Sequence, residues 1–374
     1  MEIKMKILFG ADLVPNKQLN EKYYIDGDAK ALFGDVMNII NGADRFVINL
    51  ECALTNSENR IPKCGPNLKA DPRCVNGLLA CGVTDVMLAN NHLFDYGTEA
   101  YRDTLAVLEA AGLPYTGVGE NDQDSRKIYY IDLGDGKKLG IVNVTEHEYT
   151  YALPNRCGCN PYDPYLTMQD IREAKKNADY VTVIYHGGKE YCHYPSPRVY
   201  NMTHEMVHNG ADVVLLQHTH CIGVYEEYQG SHILYGQGNL HFISRNGNPY
   251  PIWLTSLLVE VDYVGEHPTI KFYPLTTVNG ATMDLAKGEE ADEIMNTFWA
   301  RNESLKDGTW YDGWRDFCFN SPYNYPYLDA FEWFTSKDES KMWRNKEPIK
   351  HYLDTEIHHD MLRELLKTYN WTNK

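Results

Sequence analysis

A stacked α/β fold is expected from two features of this 374-residue chain. Short β-branched runs alternate with helix-patterned stretches from residue 3 to about 240, the rhythm of sheets with helices laid on their faces. Five of those apolar runs also end in polar residues, and in open α/β sheets ligands gather outside the carboxyl ends of the strands. With 43% apolar and 23% charged residues, the chain can bury a sizeable core as one large unit or as two domains.

The first strand spans 6–11 and ends at Asp12, and Arg45–Leu50 follows and ends at Glu51. A third, 84–89, runs into Asn90-Asn91-His92, after which a helix over about 97–111 stops at Gly112. Gly134-Asp135-Gly136 joins strands 127–131 and 139–144 as a hairpin. A helix at about 167–178 leads to strand 180–185, which ends at His186. The helix at about 197–209 stops at Gly210, and strand 211–216 then delivers Gln217-His218-Thr219-His220. Hairpin-like pairs over about 222–242 and 255–275 complete a first unit, 1–280. From 281 to 374 the chain is helix-like, acidic and aromatic, carrying Trp299, Trp310, Trp314, Trp333, Trp343, Trp371 and the loop 321–329. This part reads as a helical extension whose aromatic stripe packs on the main body.

The net charge of −17, with no Lys/Arg block, repels nucleic acid and anionic lipid and excludes both as partners. An anionic substrate then needs local positive charge, such as bound metal. No apolar run reaches the roughly 18 residues of a membrane-spanning helix. The opening MEIKMKILFGADLV reads as a core strand rather than a secretion signal. The nine cysteines, an odd and scattered set, are therefore expected as reduced thiols in the cytoplasm.

The strand ends carry carboxylate, Asn and His side chains without Cys, a donor set suited to Mn²⁺, Fe²⁺ or Zn²⁺. Two such ions about 3.5–4 Å apart share a bridging carboxylate and activate water between them. Glu51 can bridge, with Asp12, Asn91, His186, His218 and His220 as terminal ligands. His92 is placed to act as the acid for a leaving group, and Asp95 to orient its ring. His218 and His220 follow VVLL at alternate positions, which on an extended chain face the same way. Lys189 and Glu190, in the loop after His186, are candidate substrate-binding residues, Lys189 for an anionic group. His147 is a further candidate for the rim.

The order Asp…Glu…Asn-His…His…His-x-His resembles the calcineurin-like metallophosphoesterase superfamily, and within it the CapA branch, named for poly-γ-glutamate capsule synthesis. The stretches that carry the likeness are FGADLV (9–14), INLECALT (48–55), LANNHLFDYGTEAYRDTLAVLEAAGLPYTGVG (88–119), VIYHGGKEY (183–191), ADVVLLQHTH (211–220) and ILYGQGNLHF (233–242). The resemblance implies a four-layer α/β/β/α sandwich with metals at the strand ends. It implies one ion on Asp12, Glu51 and His220, and another on Glu51, Asn91, His186 and His218. Three departures stand out: Val14 replaces the His of Asp-x-His, Glu51 replaces a bridging Asp, and Gln217 replaces the Gly before His-x-His. The Val14 change leaves one ion short of a ligand.

His204-Glu205-Met206-Val207-His208 matches the HExxH zinc-protease pattern. Helical periodicity instead places Val199, Met202, Met206 and Val207 on the buried face and both histidines outward. The leading reading is thus a metal-dependent hydrolase of a phosphoester or a related acyl or amide bond. Its competitors are a non-catalytic binder of an acidic polymer and a metal-independent proton-transfer enzyme with His92 in the same pocket.

Overall fold

The structure, a computed structural model, describes residues 5–243, 251–322, 340 and 346–367. Two sheets form its centre. One is eight-stranded and runs Thr282–Leu285, Thr269–Val278, Thr255–Asp262, Lys6–Val14, Arg45–Leu50, Asp85–Met87 and Tyr115–Thr116, with Asn239–Phe242 also pairing with Lys6–Val14. The other is six-stranded and runs Tyr225–Tyr228, Ser231–Leu234, Val213–Gln217, Tyr180–His186, Lys137–Thr145 and Tyr129–Gly134.

Period-2 alternation along these strands separates the layers. Ile7, Phe9 and Val47 of the first sheet meet Ile141, Ile184, Val213 and Leu215 of the second in one buried cluster between the sheets. Their neighbours in sequence face outward under helices. Leu8, Phe46 and Ile48 pack with Tyr24, Leu78, Tyr101 and Leu108 on one side. Val142, Val183, Tyr185, Val214 and Leu216 pack with Ile171, Val199, Met202 and Met206 on the other. Helix, sheet, sheet, helix: this is the expected four-layer α/β/β/α sandwich.

The hairpin expected over 222–242 divides. Tyr225–Tyr228 and Ser231–Leu234 pair through a tight turn at Gln229-Gly230, both at positive φ. Asn239–Phe242 instead crosses into the first sheet and lies parallel to Lys6–Val14. Gly236 and Gly238 permit that crossing. A Cβ at Gly236 would sit 2.6 Å from Thr219 Oγ1, and Gly238 has a φ of +77° with Ser256 Cβ 2.8 Å from where its own would be.

The stretch from 281 opens with the edge strand Thr282–Leu285 and continues as helices Glu289–Asp307, Trp310–Asn320, Lys346–Asp354 and Glu356–Leu365. Trp314, Tyr352, Ile357 and Met361 from these helices are buried in the second sheet's outer layer, each contributing about 1.5–3 kcal/mol through lost apolar contact with water. Trp299 is exposed. Trp333, Trp343, Trp371 and the 321–329 loop from residue 323 onward lie outside the described residues. All nine cysteines are free thiols. In helix Pro197–His208, Met206 and Val207 are buried while His204 stacks on Tyr228 and bonds Glu226, so the HExxH pattern lies away from the core.

Candidate metal centre

Five of the strands that run parallel finish at one rim, and their ends build the site. Asp12 sits where Lys6–Val14 loses register with both parallel neighbours, an irregularity that re-aims a side chain. Its Oδ1 accepts from Asn49 Nδ2 at 2.8 Å and its Oδ2 from the His218 amide at 3.0 Å. His220 Nδ1 is 3.4 Å from the same carboxylate and 2.8 Å from Asn239 Oδ1. His186 Nε2 lies 3.0 Å from Asn91 Oδ1 and 3.3 Å from Glu51 Oε1. Asn90 closes the turn that presents Asn91 and His92: its Oδ1 accepts from the amides of His92 and Leu93, and its Nδ2 donates to Asn49 Oδ1 and the Leu50 carbonyl.

Three groups of donor atoms overlap within 4.8 Å: Glu51 with His186 and His218, Asp12 with Glu51 and His220, and Glu190 with His218 and His220. Glu51 joins the first two and is 0% exposed, yet neither of its oxygens accepts a hydrogen bond from a described residue. A buried carboxylate left this way costs several kcal/mol unless a cation takes its charge. The residues therefore fit a divalent ion on either side of Glu51, and a donor set of carboxylate, amide and imidazole suits one.

His218 and His220 reach the cavity by a route other than strand alternation. The strand stops at Gln217, and both histidines adopt left-handed backbone, with φ of 83° and 54°. Such conformations cost on the order of 1–3 kcal/mol each and persist where surrounding contacts fix them. Here the fixing contacts are the bond from the His218 amide to Asp12 and the bond between the His220 ring and Asn239.

Protonation follows from crowding. Burial pushes the Asp12 carboxyl up, but the His220 ring and the His186 and Asn49 contacts outweigh it and hold it at about 2. Burial together with the Asp12 charge drives Glu51 well above the usual carboxylate range. Burial lowers His186 to about 4 and His218 to about 3. His220 resists burial through its bond to Asp12 and the Glu51 charge, and rises to about 9.

His92, at the edge of this cluster, bonds Asp95 Oδ2 through Nδ1 at 2.6 Å. Asp95 also accepts from the Leu68 amide and from Lys63 Nζ at 2.8 Å, and both its side chain and that of Lys63 are buried. Lys63 had no motif to reveal it. Asn49 and Asn239, which orient the ligands from behind, lie in the INLECALT and ILYGQGNLHF stretches without being among the expected site residues.

The triplet after strand Lys137–Thr145 faces the site with its outer members. Glu146 and Glu148 are buried, and Glu148 accepts from Asn91 Nδ2 at 2.8 Å and lies 3.8 Å from His218 Nε2. His147 points away and binds Glu356 of the last helix. Helices Lys346–Asp354 and Glu356–Leu365 thereby close one side of the cleft. His351 Nδ1 is 3.6 Å from Glu148, and its Nε2 is 2.7 Å from His358 Nε2. Glu148, Lys189, Glu190, His218, His351 and His358 line a cavity of about 10 Å³, room for a single water. Lys189 and Glu190 thus both face the site.

A family model described as bacterial capsule synthesis protein PGA_cap matches residues 6–244. The chain belongs to this family. The match spans every PGA_cap residue of the centre from Asp12 to His220, while the helices carrying His351 and His358 lie beyond it. The PGA_cap chain is 32% identical over 182 residues to the capsule biosynthesis protein CapA of Bacillus anthracis, covering 47% of this chain and 44% of that protein. It is 30% identical over 226 residues to the PGA biosynthesis protein CapA of Bacillus subtilis (strain 168), covering 59% of each. The chain thus spans about half the length of these relatives. Among solved structures it is similar to the 5'-nucleotidase from Candida albicans SC5314, with a TM-score of 0.40 and 10% identity over 81% of this chain and 58% of that one. Vps29 of Chaetomium thermophilum is similar with a TM-score of 0.32 and 10% identity over 76% and 95%. Among the described residues no helix is long and apolar enough to cross a membrane.

Proposed function

We propose that this PGA_cap chain is a divalent-metal-dependent hydrolase that cleaves a phosphoester or a related acyl or amide bond, with an acidic polymer of the poly-γ-glutamate type as the leading substrate. The observation that carries the reading is Glu51, a fully buried carboxylate with no hydrogen-bond donor among the described residues, set between two groups of ligand atoms. Asp12, Glu51 and His220 would hold one ion, and Glu51, Asn91, His186 and His218 the other. When bound, such a pair activates water near neutral pH and neutralises charge that develops on the scissile group. The chain's own residues do the rest. Asp95, neutralised by Lys63, fixes the Nδ1 side of the His92 ring and leaves Nε2 to hand a proton to the leaving group. Lys189 brings positive charge to an anionic substrate in a molecule whose net charge is −17. The relatives' names, capsule and PGA biosynthesis, support the acidic polymer.

The test is metal content by plasma mass spectrometry on protein purified without chelator or His-tag, followed by assay against p-nitrophenyl phosphoesters and poly-γ-glutamate chain length. About two ions per chain are expected, lost in His218→Ala, with turnover abolished in Asp12→Ala and His220→Ala. A chain that takes up no ion after incubation with Mn²⁺ or Zn²⁺ sinks the hydrolase. Variants that lose metal but still bind the polymer with unchanged affinity, beside a wild type without turnover, would identify a binding protein instead.

A further inference from the structure

We infer that Glu190 is itself a metal ligand, a second carboxylate set opposite Glu51 between the two groups of donors, rather than a residue that meets the substrate. The inference rests on the metal-centre reading above and adds to it a residue supplied by a different loop. One Glu190 oxygen lies within 4.8 Å of ligand nitrogens on both His218 and His220. Those two imidazoles belong to the two different groups that Glu51 joins, so Glu190 stands where a carboxylate can reach the ion held by Asp12, Glu51 and His220.

Donor counting gives that place a use. Asp12, Glu51 and His220 offer three protein ligands, whereas Glu51, Asn91, His186 and His218 offer four. The position two residues after Asp12 is Val14, a buried apolar side chain with nothing to donate. A Glu190 oxygen brings both groups to four. It also raises the carboxylates among the proposed ligands to three, which matches the charge of two divalent ions more closely than two carboxylates would.

The backbone holds Glu190 in place. Tyr191, the next residue, has a φ of 66°, a left-handed conformation costly for an aromatic residue, and Gly188 on the other side has a φ of 103°. The Tyr191 amide donates to the Thr219 carbonyl at 2.8 Å, which fastens this loop to the residue between the two histidines. Tyr191, His218 and His220 are three of the seven non-glycine residues at positive φ among the described residues, and the Tyr191 amide is bonded to the residue between the two histidines. A loop that only covered the cleft would not need its carboxylate fixed against both imidazoles.

Glu190→Gln keeps the size and removes the charge. It is to be compared with the wild type by calorimetric titration with Mn²⁺, by the visible absorption of the Co²⁺ form, and by thermal unfolding with and without metal. The weaker ion is expected to bind about tenfold or more less tightly in the variant. Its Co²⁺ band should shift and intensify as one ligand is lost. The metal-free variant should unfold at a somewhat lower temperature than the metal-free wild type, because the Glu190 carboxylate faces the Lys189 and His220 side chains. Its gain on adding metal should be smaller. Glu190→Asp should recover part of the lost affinity. Equal affinities and unchanged Co²⁺ spectra in wild type and Glu190→Gln overturn the inference while leaving the metal centre standing. An unchanged gain on adding metal, beside that lower unfolding temperature without it, overturns the inference as well and shows a purely structural loop. A wild type that binds no ion by any of these readouts overturns the metal centre and this ligand together.

Discussion

Take the Lys63 ammonium away and the Asp95 carboxylate, 0% exposed, is left among the described residues with only the His92 ring and the Leu68 amide. Removing one partner of a buried ion pair costs about 3–5 kcal/mol, because the remaining charge has no water to return to. Lys63→Met is therefore expected to lower stability by about 3 kcal/mol, read as a shift in the urea midpoint at unchanged slope, with Lys63→Arg recovering part of it. A loss below about 1 kcal/mol would place the pair in the class of exposed ion pairs and remove Lys63 from the His92 support. Asn91, His92 and Asp95 were legible because they lie within five residues of chain. Lys63 was not, since a lone lysine in a polar loop looks like any solvated one until the fold buries it. The triplet Glu146-His147-Glu148 shows the same limit. His147 drew notice by its residue type, yet the two glutamates beside it face the cleft and the imidazole turns to Glu356. Which members of a triplet face inward depends on the backbone after the strand: alternation continues past Thr145, so the two glutamates share one face and the imidazole takes the other.

Helix Glu356–Leu365 is attached to the main body at three named points. Glu356 takes the His147 amide at 2.9 Å, Thr355 Oγ1 donates to the His147 carbonyl at 3.1 Å, and Asp360 accepts from Ser196 at 2.6 Å and Arg198 at 2.9 Å. Beneath them Met361 is fully buried against Cys318 and the second sheet's outer layer. Met361→Ala is expected to cost about 2–5 kcal/mol by leaving a cavity under the helix. Asp360→Asn should loosen the same helix by weakening the contact with the half-buried Arg198. Hydrogen exchange provides the check: in both variants the amides of 356–365 should exchange faster while those of Tyr180–His186 stay protected. Equal acceleration in helix and strand would mean that the cover and the sheet open as one unit. The central strands and the helices at 97–110, 166–177 and 197–208 were all legible, because each has a long periodic face and a Gly, Pro or cap at its end. The destination of Asn239–Phe242 was not legible, since its pairing with Lys6–Val14 joins residues more than two hundred positions apart. Nor was the cover, whose His351 meets Glu148 from a distant part of the chain and His358 from the next helix.

Across the whole chain, buried titrating groups set a stability optimum that metal should reshape. Burial holds His186, His193 and His241 at about 4 and His218 at about 3, all below the ordinary 6.5, and His351 and His358 are lowered as well. Between pH 6.5 and 4 the unfolded chain thus binds protons on these rings that the folded chain refuses. Stability is full above the unfolded value and falls as pH drops through that window, by about 1.4 kcal/mol per pH unit for each net proton. Glu51 and Glu146 work against this, since burial keeps them protonated in the fold after the unfolded chain has ionised them. Burial raises Asp170 as well, and six rings outnumber these three carboxyls, so acid still destabilises. Above 6.5 the sign reverses. His220, held at about 9 by Asp12 and Glu51, keeps a proton that the unfolded chain has released, and that contribution is lost as pH rises towards 9. The metal-free chain should therefore unfold at its highest temperature near pH 6–7 and at lower temperatures on both sides, by calorimetry in chelator-treated buffer. Added Mn²⁺ should shrink the alkaline decline, because ligation takes Glu51 as carboxylate and His220 as neutral imidazole, and leave the part owed to Glu146 and to His147, which Glu356 raises against burial. The acid decline should remain, since His193 and His241 lie outside the proposed ligand set. A metal-free profile that is flat from pH 6.5 to 5 would contradict the buried neutral histidines. An alkaline limb unmoved by Mn²⁺ would separate His220 and Glu51 from metal binding, and with them the hydrolase.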